Sequence, residues 1–130
     1  MRAKGLERCI LISDAVHLAG MPPGRYRSGE REVELTAERC VRLVGTDYLA
    51  GSAIELARGV ENSVRFAGIS LEQAITLATI QPARLLGIAD RVGSINEGLE
   101  ANLITFRWDE STYRMDLMAT TLGGEGVYQT

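Results

Sequence analysis

The most constraining stretch of this 130-residue sequence is Cys9-Ile10-Leu11-Ile12-Ser13-Asp14-Ala15. It is a short unbroken apolar run that stops at a carboxylate, and Gly20, Pro22, Pro23 and Gly24 follow it closely. A run of this length bounded by turn residues predicts a fully buried strand. Strands buried on both faces belong to parallel sheets covered by helices. In such sheets, polar residues just past the carboxyl end of a strand face the ligand crevice or barrel mouth. Asp14 is therefore a candidate catalytic residue, although an Asp ending a strand is more often a cap or a turn residue.

The chain has the length of one domain, enough to bury about two-thirds of its unfolded surface. Fourteen basic and 17 acidic residues are scattered along it, for a net charge of -3, and Lys4 is the only lysine. No basic cluster marks a nucleic-acid footprint. Arg2, Lys4, Glu7 and Arg8 leave no apolar signal segment, and no run reaches the length of a membrane span. Cys9 and Cys40 form no C-x-x-C pair, so a reduced, cytoplasmic protein is expected, with a Cys9–Cys40 disulfide as the alternative.

Residues 1–8 read as the tail of a helix or a loop. Beyond the Pro/Gly loop, residues 32–36 and 40–44 alternate with a period of two and predict a half-exposed β-hairpin. Residues 45–51 read as a turn-rich connection. Ser52 and Glu55 have capping-box spacing, and Ile54, Ala57, Val60, Val64 and Ala67 continue as a helical apolar stripe. Gly68 ends that helix, and Ser70 with Gln73 begins a second, running to about Thr79. Pro82 sits in the first turn of a third helix that Gly87 closes. From Arg91 the pattern becomes strands: 102–108, 113–121 and 127–129, with Gly123-Gly124 as a turn. Phe106 and Trp108 alternate within the first of these and are expected in its core. The chain thus divides near residue 90.

Three segments taken together, ILISDAVHLAG, TDYLAGS and LATIQPARLLGIADRVGSINEGLEANLITF, resemble the C-terminal third of the N-acetylglucosamine-6-phosphate deacetylases, a family of the amidohydrolase superfamily. The last segment is common to many amidohydrolases, whereas S-D-A-x-x-x-A-G paired with Y-L-A-G-S is specific to the sugar-phosphate deacetylases. The resemblance implies an α/β fold: the C-terminal fragment of a metal-dependent (β/α)8 barrel hydrolase plus β-sandwich strands. Residues 1–90 would supply the last barrel strand and helices, with a β-hairpin excursion at about 25–44, and 91–130 the sandwich tail.

By the same resemblance Asp14 matches the family's catalytic carboxylate, a base toward water and an acid toward the departing amine. Leu49, Ala50 and Gly51 match its substrate-contacting stretch, which on the residues alone reads as a turn and helix cap. The implied cofactor is a divalent metal, zinc first, with no ligand in this chain. His17, the only histidine, lies in the Pro/Gly loop and reads as a surface residue without a metal role. Gln81 and Arg84 read as packing and capping residues, and Leu99, Glu100 and Asn102 depart from the family's usual G-K-D-A-D-L. The implied parent activity is hydrolysis of the acetamide of N-acetylglucosamine-6-phosphate to glucosamine-6-phosphate and acetate. The alternatives are another amide substrate, or a non-catalytic self-associating module left by truncation. One barrel strand cannot close a barrel and would expose its edges. The chain alone is therefore expected to be inactive and to pair with copies of itself or with a missing N-terminal portion. The expected small-molecule partner is an amino-sugar phosphate, with neither nucleic acid nor membrane.

Overall fold

The structure is a computed structural model that describes residues 3–130; Met1 and Arg2, and the part of the first-segment reading that falls on them, lie outside the described residues. The architecture is mixed α/β, with two antiparallel sheets and three consecutive helices. Two compact units are present. One is Ile12–Gly59; the other combines the N-terminal segment up to Leu11 with Val60–Thr130.

The Ile12–Gly59 unit is built on a four-stranded meander: β1 (Gly24–Ser28), β2 (Arg31–Leu35), β3 (Cys40–Leu43) and β4 (Leu49–Ser52). The anticipated hairpin is present as β2 and β3, pairing Val33 with Leu43 and Leu35 with Val41. Alternation explains its core. Val33 and Leu35 turn inward while Glu32 and Glu34 stay exposed, as the two-residue strand period requires. Leu18, Val33, Leu35, Val41 and Ala53 form one buried cluster, against which Val16, Ala19, Tyr26 and Leu43 pack. Leu35 and Val41 are almost fully enclosed, a burial that contributes about 1.5–3 kcal/mol for each such side chain. The Pro/Gly loop is pinned to this sheet. Tyr26 donates its hydroxyl to the Pro22 carbonyl (2.6 Å), and Arg39 donates from Nη1 to the Met21 carbonyl (2.7 Å).

The segment expected to be turn and cap, residues 49–52, is instead strand β4, running antiparallel to β3 across a register shift at Val41/Arg42. The helix consequently starts later than the Ser52–Glu55 spacing suggested. Ser52 closes the strand, its hydroxyl accepts from the Ile54 N–H (3.2 Å), and α1 spans Leu56–Ala67. The apolar stripe stands: Ala57, Val60, Val64 and Ala67 are buried or half-buried along it.

The second capping box is complete. Gln73 N–H donates to Ser70 Oγ (3.1 Å), and Ser70 N–H donates to Gln73 Oε1 (2.9 Å), opening α2 (Leu71–Ala78). Helix α3 (Ile80–Leu86) carries Pro82 in its first turn, where a missing N–H costs nothing, and it ends at Gly87. Gly87 adopts φ 70° and ψ 27°; its N–H reaches the Arg84 carbonyl (3.2 Å), and the Ile88 N–H reaches that of Ala83 (2.9 Å). This left-handed closure with two back-bonds is what glycine at that position permits. Gln81 is half-buried in the first turn, as a packing residue should be, whereas Arg84 is exposed in the last turn, where its charge complements the helix dipole.

The tail forms β5 (Leu103–Asp109), β6 (Arg114–Leu122) and β7 (Glu125–Gln129), a three-stranded antiparallel sheet in sequence order. Phe106 and Trp108 are half-buried rather than core, and Met115, paired with Trp108, is the buried position of the sheet. Trp108 also makes an edge contact with Tyr113. Glu100, one of the departures from the family pattern, accepts from Arg91 Nε (3.0 Å) and Asn102 Nδ2 (3.1 Å). These bonds hold its carboxyl below the usual range.

The Cys9–Ala15 run departs from expectation. It is extended at Cys9 (φ -116°, ψ 145°), yet residues 9–14 join no strand ladder. Leu11 N–H donates to the Leu77 carbonyl (2.8 Å), and Ala15 makes one isolated parallel bridge to Ser52. Ile10 is 40% and Ile12 64% exposed. The physical reason is plain: an apolar strand is buried only by flanking strands and covering helices, and among the described residues none flanks this one.

Candidate functional site

Asp14 is exposed, at the end of the extended run, with φ 47°. The left-handed region is uncommon for a residue with a Cβ, and Asp is among those that tolerate it because its short side chain can bond locally. This turn breaks the extended course and lets the next residues meet β4. Ala15 bridges Ser52 in parallel, and Val16 N–H donates to the Ser52 carbonyl at 2.8 Å. Asp14 and Gly51 therefore each stand one residue before the same bridge. The structure thus brings the two halves of the candidate site, Asp14 and residues 49–51, onto adjoining backbone.

The three residues of that stretch differ in what they present. Leu49 is 70% exposed, and Ala50 is exposed and lines a cavity of about 300 Å³. Gly51 is half-buried at φ 145°, and a Cβ placed there would lie 2.5 Å from Val16 Cγ1. The need for a small residue at 51 is therefore met within the chain, by the approach of Val16.

His17 is exposed and lines the same cavity as Ala50, as do Ser28 and Arg31. Sequence reasoning missed the last two. The signal was present in Arg31-Val33-Leu35: the same alternation that buries Val33 and Leu35 puts Arg31 on the inner face of β2. Its pairing with Ser28 becomes visible only in the β1–β2 register. A second omission is Glu61, a buried carboxylate on α1 that accepts from the Met115 N–H at 2.8 Å.

Among the described residues, no group of three or more His, Cys, Asp or Glu side chains is arranged to hold a metal ion. Cys9 and Cys40 are both free thiols, half-buried. No helix of the described residues is long and apolar enough to cross a membrane.

Comparison with known proteins gives these observations a setting. The sequence profile of the amidohydrolase family matches residues 29–127. The N-acetylglucosamine-6-phosphate deacetylase of Vibrio furnissii is 38% identical over 104 residues, 80% of this chain and 26% of the relative. The N-acetylgalactosamine-6-phosphate deacetylase of Escherichia coli O157:H7 is 37% identical over 98 residues, 75% of this chain and 26% of the relative. The crystal structure of the Mycobacterium smegmatis N-acetyl-D-glucosamine-6-phosphate deacetylase superposes with a TM-score of 0.79 at 30% identity, covering 95% of this chain and 32% of that one. The chain thus spans about a quarter of the length of these curated relatives.

Proposed function

This chain belongs to the amidohydrolase family, and from that premise we propose that it serves the hydrolysis of the acetamide of N-acetylglucosamine-6-phosphate to glucosamine-6-phosphate and acetate. The observation that carries the reading is the parallel bridge between Ala15 and Ser52, which sets Asp14 beside the Leu49–Gly51 stretch. The names of the relatives support the substrate class.

In this reading Asp14 takes a proton from the attacking water as the new C–O bond forms at the acetamide carbonyl. It returns that proton to the nitrogen as the C–N bond breaks, so the amine leaves neutral. Its exposure suits that role, since the carboxylate needs room for both water and substrate. Leu49 and Ala50 offer an apolar surface and a backbone edge to the sugar, and Gly51 keeps that edge close to Val16. The amidohydrolase family is generally metal-dependent. The donor set described here does not fit a metal site, so a divalent ion, zinc first, would be held by residues outside this set, and no step above is routed through it.

The setting we assign is cytoplasmic, with association either between copies of the chain or with further polypeptide. Exposure of Ile10 and Ile12 supports the association, because apolar strand-like segments gain most from being covered. The 4-epimer, N-acetylgalactosamine-6-phosphate, is a second substrate reading, favoured by the 37% identity to a deacetylase named for it. A chimera in which this chain replaces the matching part of the Vibrio furnissii enzyme separates the two. Faster turnover of the gluco sugar phosphate supports the first reading and faster turnover of the galacto epimer the second. Turnover of neither, in a folded chimera, rejects both.

A further inference from the structure

One end of the four-stranded sheet carries a polar constellation on what is otherwise its apolar inner face. In β2, Arg31 shares a face with the buried Val33 and Leu35, and in β1 its register partner Ser28 shares one with Tyr26. Glu32 and Glu34 alternate to the opposite face and are exposed there. The loop that follows Asp14 crosses this end of the sheet, burying Leu18 and bringing His17 to the cavity that Ser28 and Arg31 line. Val33 and Val41 form part of its apolar wall. Among the described residues, Arg31 has no carboxylate within ion-pair distance.

We propose that His17, Ser28 and Arg31 form a binding site for a small oxyanion, a phosphate monoester or a carboxylate. The cavity, about 300 Å³, is of a size for one compact polar ligand. The chemistry is complementary. A guanidinium gives a fixed fork of donors, an imidazole a ring N–H, and a hydroxyl a rotatable donor, all suited to oxygens that carry negative charge. The apolar wall lowers the local dielectric and so strengthens each charge-assisted bond. An unpaired guanidinium is available for this, whereas one already bound to Glu would first have to be released.

The cavity shares Ala50 with the substrate stretch of the proposed function, but the two readings fail separately: an inactive chimera leaves the anion site intact, and an absent anion response leaves the deacetylase reading intact. His17 is the only histidine of the chain, so its imidazole Cε1–H resonance reports on this cavity without assignment ambiguity. The test is a titration of the full chain at neutral pH with inorganic phosphate, acetate, N-acetylglucosamine-6-phosphate and uncharged N-acetylglucosamine. Saturable movement with one or more of the anions, but not with the uncharged sugar, supports the site, and the phosphate and acetate arms show which oxyanion it prefers. Arg31→Gln should weaken that binding about tenfold or more, and Ser28→Ala should weaken it less. Arg25→Gln removes an equal charge from the exposed face of β1 and should leave it unchanged. No response to any anion overturns the proposal, and so does an equal loss in the Arg31 and Arg25 variants. If Arg31→Gln does not fold, Ser28→Ala against wild type decides the same question.

Discussion

The carboxylate of Glu61 accepts a hydrogen bond from the backbone N–H of Met115 at 2.8 Å, joining α1 to β6 between residues 54 apart in sequence. Both residues are buried. A buried backbone donor left unpaired costs about 1–3 kcal/mol, more than the bond itself contributes net. Glu61→Ala should therefore lower unfolding stability by about 1–3 kcal/mol, while Glu61→Gln, which keeps a carbonyl acceptor, should lose less. Urea unfolding of the two variants checks the order; equal stabilities would contradict it.

Gly51 predicts a second asymmetry. Ala at this position meets Val16 Cγ1 and must also adopt φ 145°, a region that L side chains rarely occupy. Backbone strain of that kind costs about 1–3 kcal/mol. Gly51→Ala should destabilise the chain by at least that amount. Adding Val16→Ala should relieve the steric part and leave the backbone part, so the double variant should be more stable than the sum of the two single effects. Strict additivity in a double-mutant cycle would show that the approach of Val16 is not what requires glycine.

How much of this was legible beforehand depended on the range of the interaction. The Ser70–Gln73 box and the Gly87 closure are written in residues a few positions apart, and both were readable. The Val33/Leu35 alternation was equally local. By contrast, β4 was missed because Gly51 reads as a turn residue until Val16 is seen beside it. Burial of Ile10 and Ile12 was overestimated because an apolar run states only that it can be covered, and its cover has to come from elsewhere in sequence. Arg31 was missed for a third reason. The alternation with Val33 and Leu35 already sets its face, but its pairing with Ser28, which makes that face polar at one end, emerges only from the β1–β2 register. Glu61 interrupts an apolar stripe, a signal that a buried acceptor was needed.

The β5–β6 turn should respond to acid. Asp109 accepts from the Ser111 hydroxyl (2.6 Å), the Ser111 N–H (2.8 Å) and the Thr112 N–H (3.3 Å). These bonds, the Ser111 side chain's first, hold its carboxyl down to about 2 from an ordinary 3.8. A depressed carboxylate stabilises the folded turn above its unfolded value, and the effect is lost as pH falls from about 4 through 2. The Ser111 and Thr112 amide resonances should therefore shift in that window, and Asp109→Asn should abolish the dependence. Amide shifts that follow an unperturbed carboxylate near 4 would contradict the geometry.

Exposure of Ile10 and Ile12 predicts that the isolated chain associates, and the lack of any group of three or more metal donors among the described residues predicts that it does not turn over N-acetylglucosamine-6-phosphate with added zinc. Sedimentation velocity should give a mass above that of one chain, shifting toward one chain in Ile12→Asp. A compact single-chain species at every concentration would contradict the association, and zinc-dependent turnover the inactivity.

The most direct measurement is the turnover of N-acetylglucosamine-6-phosphate by the Vibrio furnissii chimera carrying this chain, with Asp14 intact and as Asp14→Asn. General acid–base catalysis by one positioned group contributes about 10²–10⁴-fold, so the substitution should lower kcat by that range with little change in KM. An Asp14→Asn chimera that folds and keeps kcat within about threefold, well below the range for a working acid–base group, would contradict the account at its centre.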